Sequence, residues 1–591
     1  MRNTKIARPA QIILVVLGCG LGACQRTETG DPSFVLAGNC GEGTDGCDDD
    51  PPACVAVPKG SSCQCPGGFT GTGLGHAGCL LADPGLLSLV PSDGALNPGF
   101  SATTAGYTLA LHRGATSVAL TPSILYPGHA TILVDATPVD SGTTFTIEYL
   151  GLARQPVKIT VTTETGESRA YEVVLRPTPP IYIKASNTGA SDAFGHSVAL
   201  SADGLTLAVG AIWEASAAFD GGVVQSDDSA PGAGAVYVFN RTGWMWTQQA
   251  FLKARSRDAR DYFGVSVALS ADGDTLAVGA YEEDSSARGV DGDQSSNATP
   301  GAGAAYVFTR SGETWAEQAY LKASNAGAHD YFGYSVALSP GGDTLAVGAY
   351  GEDSSAKGVG GDQANDDSEN SGAAYVFIRT RATWTQQAYL KASDASFHGY
   401  FGDAVALSRD GSLLAVGAPG AGTIHLFNST AAGWVQEATI KSSSSGVSDG
   451  LGRTVALSQQ GSTLAAVASG GAYDDVYVFG RADTGWVKQQ RITDAMSAAL
   501  SSDGAMLAVG KVKEGIVSVF TRTDTAWSQQ EPIEAYGRDA GSAFGFSLAF
   551  SADGGTLSIG APGEGSGARG VGGDPDNDDQ SGSGAVFLFS R

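Results

Sequence analysis

At 591 residues the chain exceeds what one hydrophobic core can organise, so it is expected to divide into several domains. A formal charge of −26 repels phosphate backbones and argues against nucleic-acid partners, while 83 glycines beside few charged residues favour strands and tight turns over long exposed helices. The acidic balance points to cations.

The opening "MRNTKIARPAQIILVVLGCGLGACQR" sets Arg2, Lys5 and Arg8 ahead of an apolar run too short to span a bilayer, which reads as an export signal over residues 1–23. "LGAC" (Leu21 to Cys24) resembles the lipobox of bacterial lipoproteins, which implies cleavage before Cys24 and its acylation; Cys19, in "VLGC", is a second candidate, and a secretory signal without lipidation is a third reading. Gln25, rather than Asp, after Cys24 implies an outer-membrane or cell-surface address on that resemblance. Residues 24–38 read as a linker.

Cys40, Cys47, Cys54, Cys63, Cys65 and Cys79 fall within residues 39–80 and no cysteine follows. An even set in a short exported stretch reads as a disulfide framework, with a structural zinc site as the rival. Spacing alone leaves the connectivity open. "CQC" followed by "PGGFTGTGLGHAGC" resembles the second half of an EGF-like module, and that resemblance implies the pairs Cys40–Cys54, Cys47–Cys63 and Cys65–Cys79. The acidic pair that calcium-binding members carry before the first cysteine is missing from "LAGNC".

Residues 84–178 alternate apolar and Thr/Ser side chains in "TSVALTPS", "TFTIEYL", "VKITVTT" and "AYEVVLR", separated by turn signals, and predict a β-sandwich. "LLSLVPSDGALNPGF" and "VTTETGESRAYEVVLRP" resemble the cadherin-like domains of bacterial surface proteins, which implies a spacer.

From residue 180 the chain repeats. Phe194, Phe263, Phe332 and Phe401 open units 69 residues apart by subtraction. Shorter units begin near Leu451, Asp494 and Phe544. Each unit holds four apolar runs, "FGxSVALS", "TLAVGA", "GAVYVF" and "WTQQAYLKA", and four antiparallel strands per unit make a propeller blade. The fold class is therefore all-β: a seven-bladed β-propeller over 180–591, preceded by the sandwich and the small disulfide-rich module. The Trp strand occurs six times (Trp246, Trp315, Trp384, Trp434, Trp486, Trp527) while the seventh unit ends at "GAVFLFSR" without one. "IYIKAS" (Ile181 to Ser186) is expected to supply the missing strand and close the ring. The Phe-Gly and "VGAP" signatures resemble the FG-GAP repeats of integrin α-subunits and their bacterial relatives.

The integrin-type calcium loop would lie between the first and second strands, where this sequence has only a tight Asp-Gly turn, so that site does not carry over. Acids gather instead between the second and third strands of four units. Asp362, Asp366 and Asp367 with Glu369, and Asp574, Asp576 and Asp578 with Asn577 and Asp579, are candidate calcium ligands, as are Glu283, Asp284, Asp291 and Asp293; the alternative is solvated loop. No catalytic or cofactor-binding residue is assigned: HExxH and a nucleophile elbow are absent, and the channel positions read as mainly Ser, Ala and Gly. The expected role is non-enzymatic recognition or adhesion by a monomer, through a protein or glycan ligand on the propeller's loop face, with a lipid anchor in the membrane. A polysaccharide hydrolase or lyase, or an envelope assembly scaffold, is the alternative.

Overall fold

The computed structural model describes residues 84–590 apart from 93, 112–116, 126–127, 149–154, 178–179, 218–226, 244, 257, 442–448, 470–473, 536–540 and 576. Ahead of these it gives only four two-residue strands, Val55–Ala56 paired with Cys63–Gln64 and Phe69–Thr70 paired with Leu80–Leu81. The export signal, Cys19, Cys24, the cysteine side chains with their expected pairs, and Asp576 lie outside the described residues. The described secondary structure is all β, and the chain divides into two compact units with a boundary at Pro177–Thr178.

In the first unit a six-stranded sheet runs in the order Thr137–Val139, Ala130–Val134, Gln155–Thr163, Ser168–Pro177, Gly106–Leu111, Leu96–Asn97. A three-stranded sheet of Phe145–Glu148, Ser117–Ser123 and Ser88–Pro91 shares its core. Strict alternation along Gln155–Thr163 sends Val157, Ile159 and Val161 inward, each fully buried, as period-two patterning requires. The Tyr171 hydroxyl donates to the carbonyl of Ala102 and accepts from the amide of Leu86, tying two separate segments to one buried phenol.

The second unit is a propeller-like series of antiparallel sheets. The first contains Phe194–Leu200, Thr206–Ala211, Ala235–Thr242 and Met245–Leu252; the second Val267–Leu269, Thr275–Ala280, Ala304–Ser311 and Thr314–Leu321; the third Ser335–Leu338, Thr344–Ala349, Ala373–Thr380 and Thr383–Leu390. The fourth spans Val405–Leu407 to Gly433–Lys441, the fifth Leu451–Leu457 to Gly485–Thr493, and the sixth Ser497–Leu500 to Ala526–Gln529 with Ile533–Glu534 as an additional strand. In the last sheet Ser547–Phe550, Thr556–Ala561 and Ala585–Ser590 are joined by Ile181–Ile183, with Ile181 opposite Leu588 and Ile183 opposite Val586.

Repeated local chemistry explains the repeated shape. In the first hairpin the Ser201 hydroxyl donates to Asp203 and accepts from the amide of Thr206, and Ser270 with Asp272 and Ser551 with Asp553 do the same, so the Ser-x-Asp-Gly turn satisfies itself. The Phe of each Phe-Gly pair is fully buried and meets two aromatic edges of its own third strand: Phe332 lies 5.3 Å from Tyr375 and 6.0 Å from Phe377, both T-shaped. Outer strands are pinned across sheets by tryptophan, since Trp315 Nε1 donates to Gln249, Trp384 Nε1 to Gln318 and Trp434 Nε1 to Gln387.

Glycine is needed where sheets approach most closely. A Cβ on Gly348 would overlap the carbonyl oxygen of Gly402 in the next sheet, and one on Gly560 the carbonyl oxygen of Gly195. Where Val467 replaces the strand glycine, the following unit also lacks its Phe-Gly pair.

Candidate functional site

The acidic insertions are organised by a buried device that sequence reading missed. In the third sheet Lys391 Nζ donates to Glu352 Oε2 at 2.6 Å and to the Ser371 hydroxyl, while Tyr389 and Asn325 donate to Glu352 Oε1. Lys322 with Glu283 and Tyr320, Lys253 with Glu214, and Lys184 with Glu564 and Tyr182 repeat it, all buried. Burial pushes each lysine's pKa down while the facing glutamate opposes the shift. Glu283, read as a calcium ligand, is therefore an ion-pair partner.

Of the other candidate acids, Asp293 and Asp362 cap their own turns, and Asp284 and Asp291 accept from amides farther along the chain. Asp284 accepts from the amide of Gly301, Asp291 from Tyr320, Asp293 from Ser295 and Asp362 from Ala364. Ser285, Ser354 and Ser566 each donate to a carbonyl eight residues on, folding the insertion back on itself. Asp362, Asp366, Asp367, Asp574 and Asp578 are exposed, and among the described residues no three His, Cys, Asp or Glu side chains converge on a metal position.

A different surface is built beside the Phe-Gly pairs. The residue before each Phe is held at positive φ (Tyr262 53°, Tyr331 57°, Tyr400 53°), which turns its side chain away from the buried phenylalanine. Ala193 and Ala543 adopt the same conformation, so the loop imposes it and the tyrosines exploit it. Tyr281 and Tyr350, each following a "VGA" strand, extend the row. Trp213 meets Tyr262 at 4.7 Å, Tyr262 stacks on Tyr281 at 5.4 Å, and Tyr281 meets Tyr331 and Tyr334. Tyr331 stacks on Tyr350 at 5.0 Å, and Tyr350 lies 6.1 Å from Tyr400. These tyrosines are half-buried and Trp213 is exposed. The belt crosses from the first sheet to the fourth, and partial burial raises the phenol pKa values of Tyr262, Tyr281, Tyr331 and Tyr350.

The residue after the Phe-Gly pair differs in chemistry from unit to unit. It is His196, Val265, Tyr334, Asp403 and Phe546 after the five Phe-Gly pairs that open units, Arg453 after Leu451-Gly452, and Met496 at the matching place in the unit that has no such pair. Neighbours among them touch: His196 lies 5.0 Å from Phe546, and Arg453 Nη1 is 3.4 Å from Asp403 Oδ1. Tyr334 is 4.7 Å from Tyr350, and both feel the Asp403 charge. Asp403 is 5 % exposed, its Oδ2 has no hydrogen-bond partner among the described residues, and burial lifts its pKa to about 6 against the pull of Arg453. Burial lowers the pKa of His196 to about 4, so the ring is neutral at pH 7. The signal for this set was the variable x in "FGxS", passed over because it does not repeat.

No functionally curated protein matches the sequence. Solved structures that resemble the fold include the periplasmic gluconolactonase of Pseudomonas aeruginosa (15 % identity, 66 % of this chain and 94 % of that chain, TM-score 0.39) and the Cps50 (Swd1) β-propeller domain of Myceliophteria thermophila (10 %, 70 % and 100 %, 0.42). Hydrazine synthase of Kuenenia stuttgartiensis is a third (14 %, 64 % and 94 %, 0.39). The FG-GAP repeat family matches residues 182–239, 246–308, 315–377 and 384–433. With the buried Phe-Gly pairs and the four-stranded sheets that follow them, these matches make the chain a carrier of four FG-GAP repeats.

Proposed function

We propose that this protein is a non-enzymatic recognition protein whose binding surface is the aromatic belt and the Asp403–Arg453 pair, displayed on a seven-bladed closed propeller. The carrying observation is the row of half-exposed rings running without a break from Trp213 to Tyr400. Rigid, amphipathic rings lose little conformational entropy on contact, which suits them to anchoring a ligand. Closure is supported by Ile181–Ile183 in the last sheet, by the Gly560–Gly195 approach, and by the Lys184–Glu564 pair, which repeats in the end sheet what three other sheets do internally. In this reading the chain is exported and anchored through Cys24, with the EGF-like and cadherin-like segments as spacers that hold the propeller off an outer membrane or cell surface.

Purified full-length protein, tested by interferometry against immobilised envelope polysaccharides and surface proteins, is expected to bind at least one. Tyr281→Ala with Tyr350→Ala should abolish that binding while leaving the melting temperature within a few degrees. Release of new reducing ends or unsaturated sugars from a bound polysaccharide would overturn this reading in favour of a hydrolase or lyase.

A further inference from the structure

The cluster of Asp403, Arg453, Tyr334 and Tyr350 has a chemistry narrower than general adhesion. Asp403 Oδ2 is closed to solvent and has no hydrogen-bond partner among the described residues, and such an atom costs free energy unless something donates to it. Arg453 beside it is 53 % exposed in its side chain and presents guanidinium N–H donors, one of which already reaches Asp403. A carboxylate acceptor and a guanidinium donor at 3.4 Å thus stand side by side at the end of the aromatic belt, with Tyr350 meeting Tyr334 at 4.7 Å.

Charge then sorts the ligands. An anionic ligand drawn to Arg453 meets Asp403, and a cationic one drawn to Asp403 meets Arg453, so neither gains the full attraction of its counter-charge. A neutral ligand with adjacent hydroxyls uses both: one hydroxyl donates to the carboxylate, its neighbour accepts from the guanidinium, and the carbon-bound face of the same ring rests on a tyrosine. Proteins also carry neutral side chains, but few place two adjacent hydroxyls on one rigid apolar ring, whereas pyranoses do so as a rule.

We infer that Asp403, Arg453, Tyr334 and Tyr350 form a subsite for a neutral sugar residue of a glycan, recognised through a vicinal diol. This rests on the recognition reading above and names its ligand class. The Asp403–Arg453 pair supplies orientation, and the belt from Tyr350 back to Tyr262 lies where further residues of the same glycan would extend.

The test uses the full chain against immobilised neutral polysaccharides (mannan, galactomannan, dextran), acidic ones (alginate, polygalacturonate) and a panel of envelope proteins, with Asp403→Asn and Arg453→Gln alongside Tyr281→Ala/Tyr350→Ala. The expected result is binding to a neutral polymer, competed by its free monosaccharide and weakened at least about tenfold by either Asp403→Asn or Arg453→Gln, the loss of one charged hydrogen bond. Asp403→Asn should melt no lower than the parent, because it removes a buried charge. Binding only to acidic polymers or to protein, lost with the tyrosines but untouched by Asp403→Asn and Arg453→Gln, overturns the sugar subsite and leaves the recognition surface standing. Binding that survives the double tyrosine substitution overturns both, as does absence of binding to every probe.

Discussion

Replacing Lys391 by Met removes the ammonium from the most enclosed polar cluster of the third sheet. Lys391 and Glu352 side chains are 0 % and 2 % exposed and 2.6 Å apart. Without the lysine, Glu352 Oε1 keeps its bonds from Tyr389 and Asn325, but Oε2 keeps only the 3.2 Å bond from the amide of Ser354. Leaving a buried charge without its counter-ion costs about 3–5 kcal/mol. The surviving bonds to Oε1 place the expected loss near the lower end, about 3 kcal/mol. Guanidinium unfolding followed by tryptophan fluorescence reads this directly, since Trp384 is buried on Thr383–Leu390, the strand that leads into Lys391. Adding Glu352→Gln to Lys391→Met removes the stranded charge while leaving an acceptor for Tyr389 and Asn325, and should recover about half of the loss. A single substitution costing under about 1 kcal/mol, or a double variant no more stable than the single, would refute the claim that the pair's cost lies in a desolvated charge.

Gly348→Ala should destabilise by about 1–3 kcal/mol, read by the same unfolding curve, because the new methyl meets a backbone carbonyl of the next sheet that cannot yield. Ile183→Asp, which puts a charge at a fully buried position in the strand paired with Ala585–Ser590, should lower the melting temperature by several degrees; an unchanged melt would deny that strand a stabilising role. Burial raises the pKa of Asp261 to about 8 and of Asp330 to about 7, so the folded state holds protons that the unfolded chain releases near pH 4. Their contribution to stability is full below pH 4 and is lost as pH rises toward 7–8. Asp261→Asn and Asp330→Asn should therefore melt a few degrees above the parent at pH 8, and differential scanning calorimetry should show the gap closing near pH 4. Millimolar calcium should leave the melting temperature unchanged; a rise of several degrees would show that the acids of the insertions gather around the ion after all.

The all-β, four-stranded sheets were legible because they are written in redundancy. Phe-Gly, "VGA" and the Trp strand recur in the same order, in units that open 69 residues apart for the first four and closer thereafter, and strand identity follows from period-two patterning within each. The site was less legible for two physical reasons. Lys322 lies 39 residues beyond Glu283 and Lys391 the same distance beyond Glu352, a spacing present in the sequence, yet burial depth is not. Glu283 thus looked like one more loop acid beside Asp284. Conversely, His196, Tyr334, Asp403 and Arg453 occupy one equivalent position in their units with different chemistry, and counting matches discards what differs. Tyr262, Tyr331 and Tyr400 do repeat, but their left-handed backbone, which turns them away from the core, is set by loop hydrogen bonds such as Tyr331 to the carbonyl of Gly301.

The pairing of Ile181–Ile183 with Ala585–Ser590 also dictates a timetable. The first strand of this unit to leave the ribosome belongs to the last sheet, so it must wait, unpaired, for some four hundred residues of synthesis. Closing so long a loop adds little entropy over a loop half its size, about 0.6 kcal/mol per doubling, so the delay is kinetic rather than energetic. A chain interrupted before Ala585 would have its other sheets available and no partner for its earliest strand, so the pairing of Ile181–Ile183 registers whether synthesis has passed that strand.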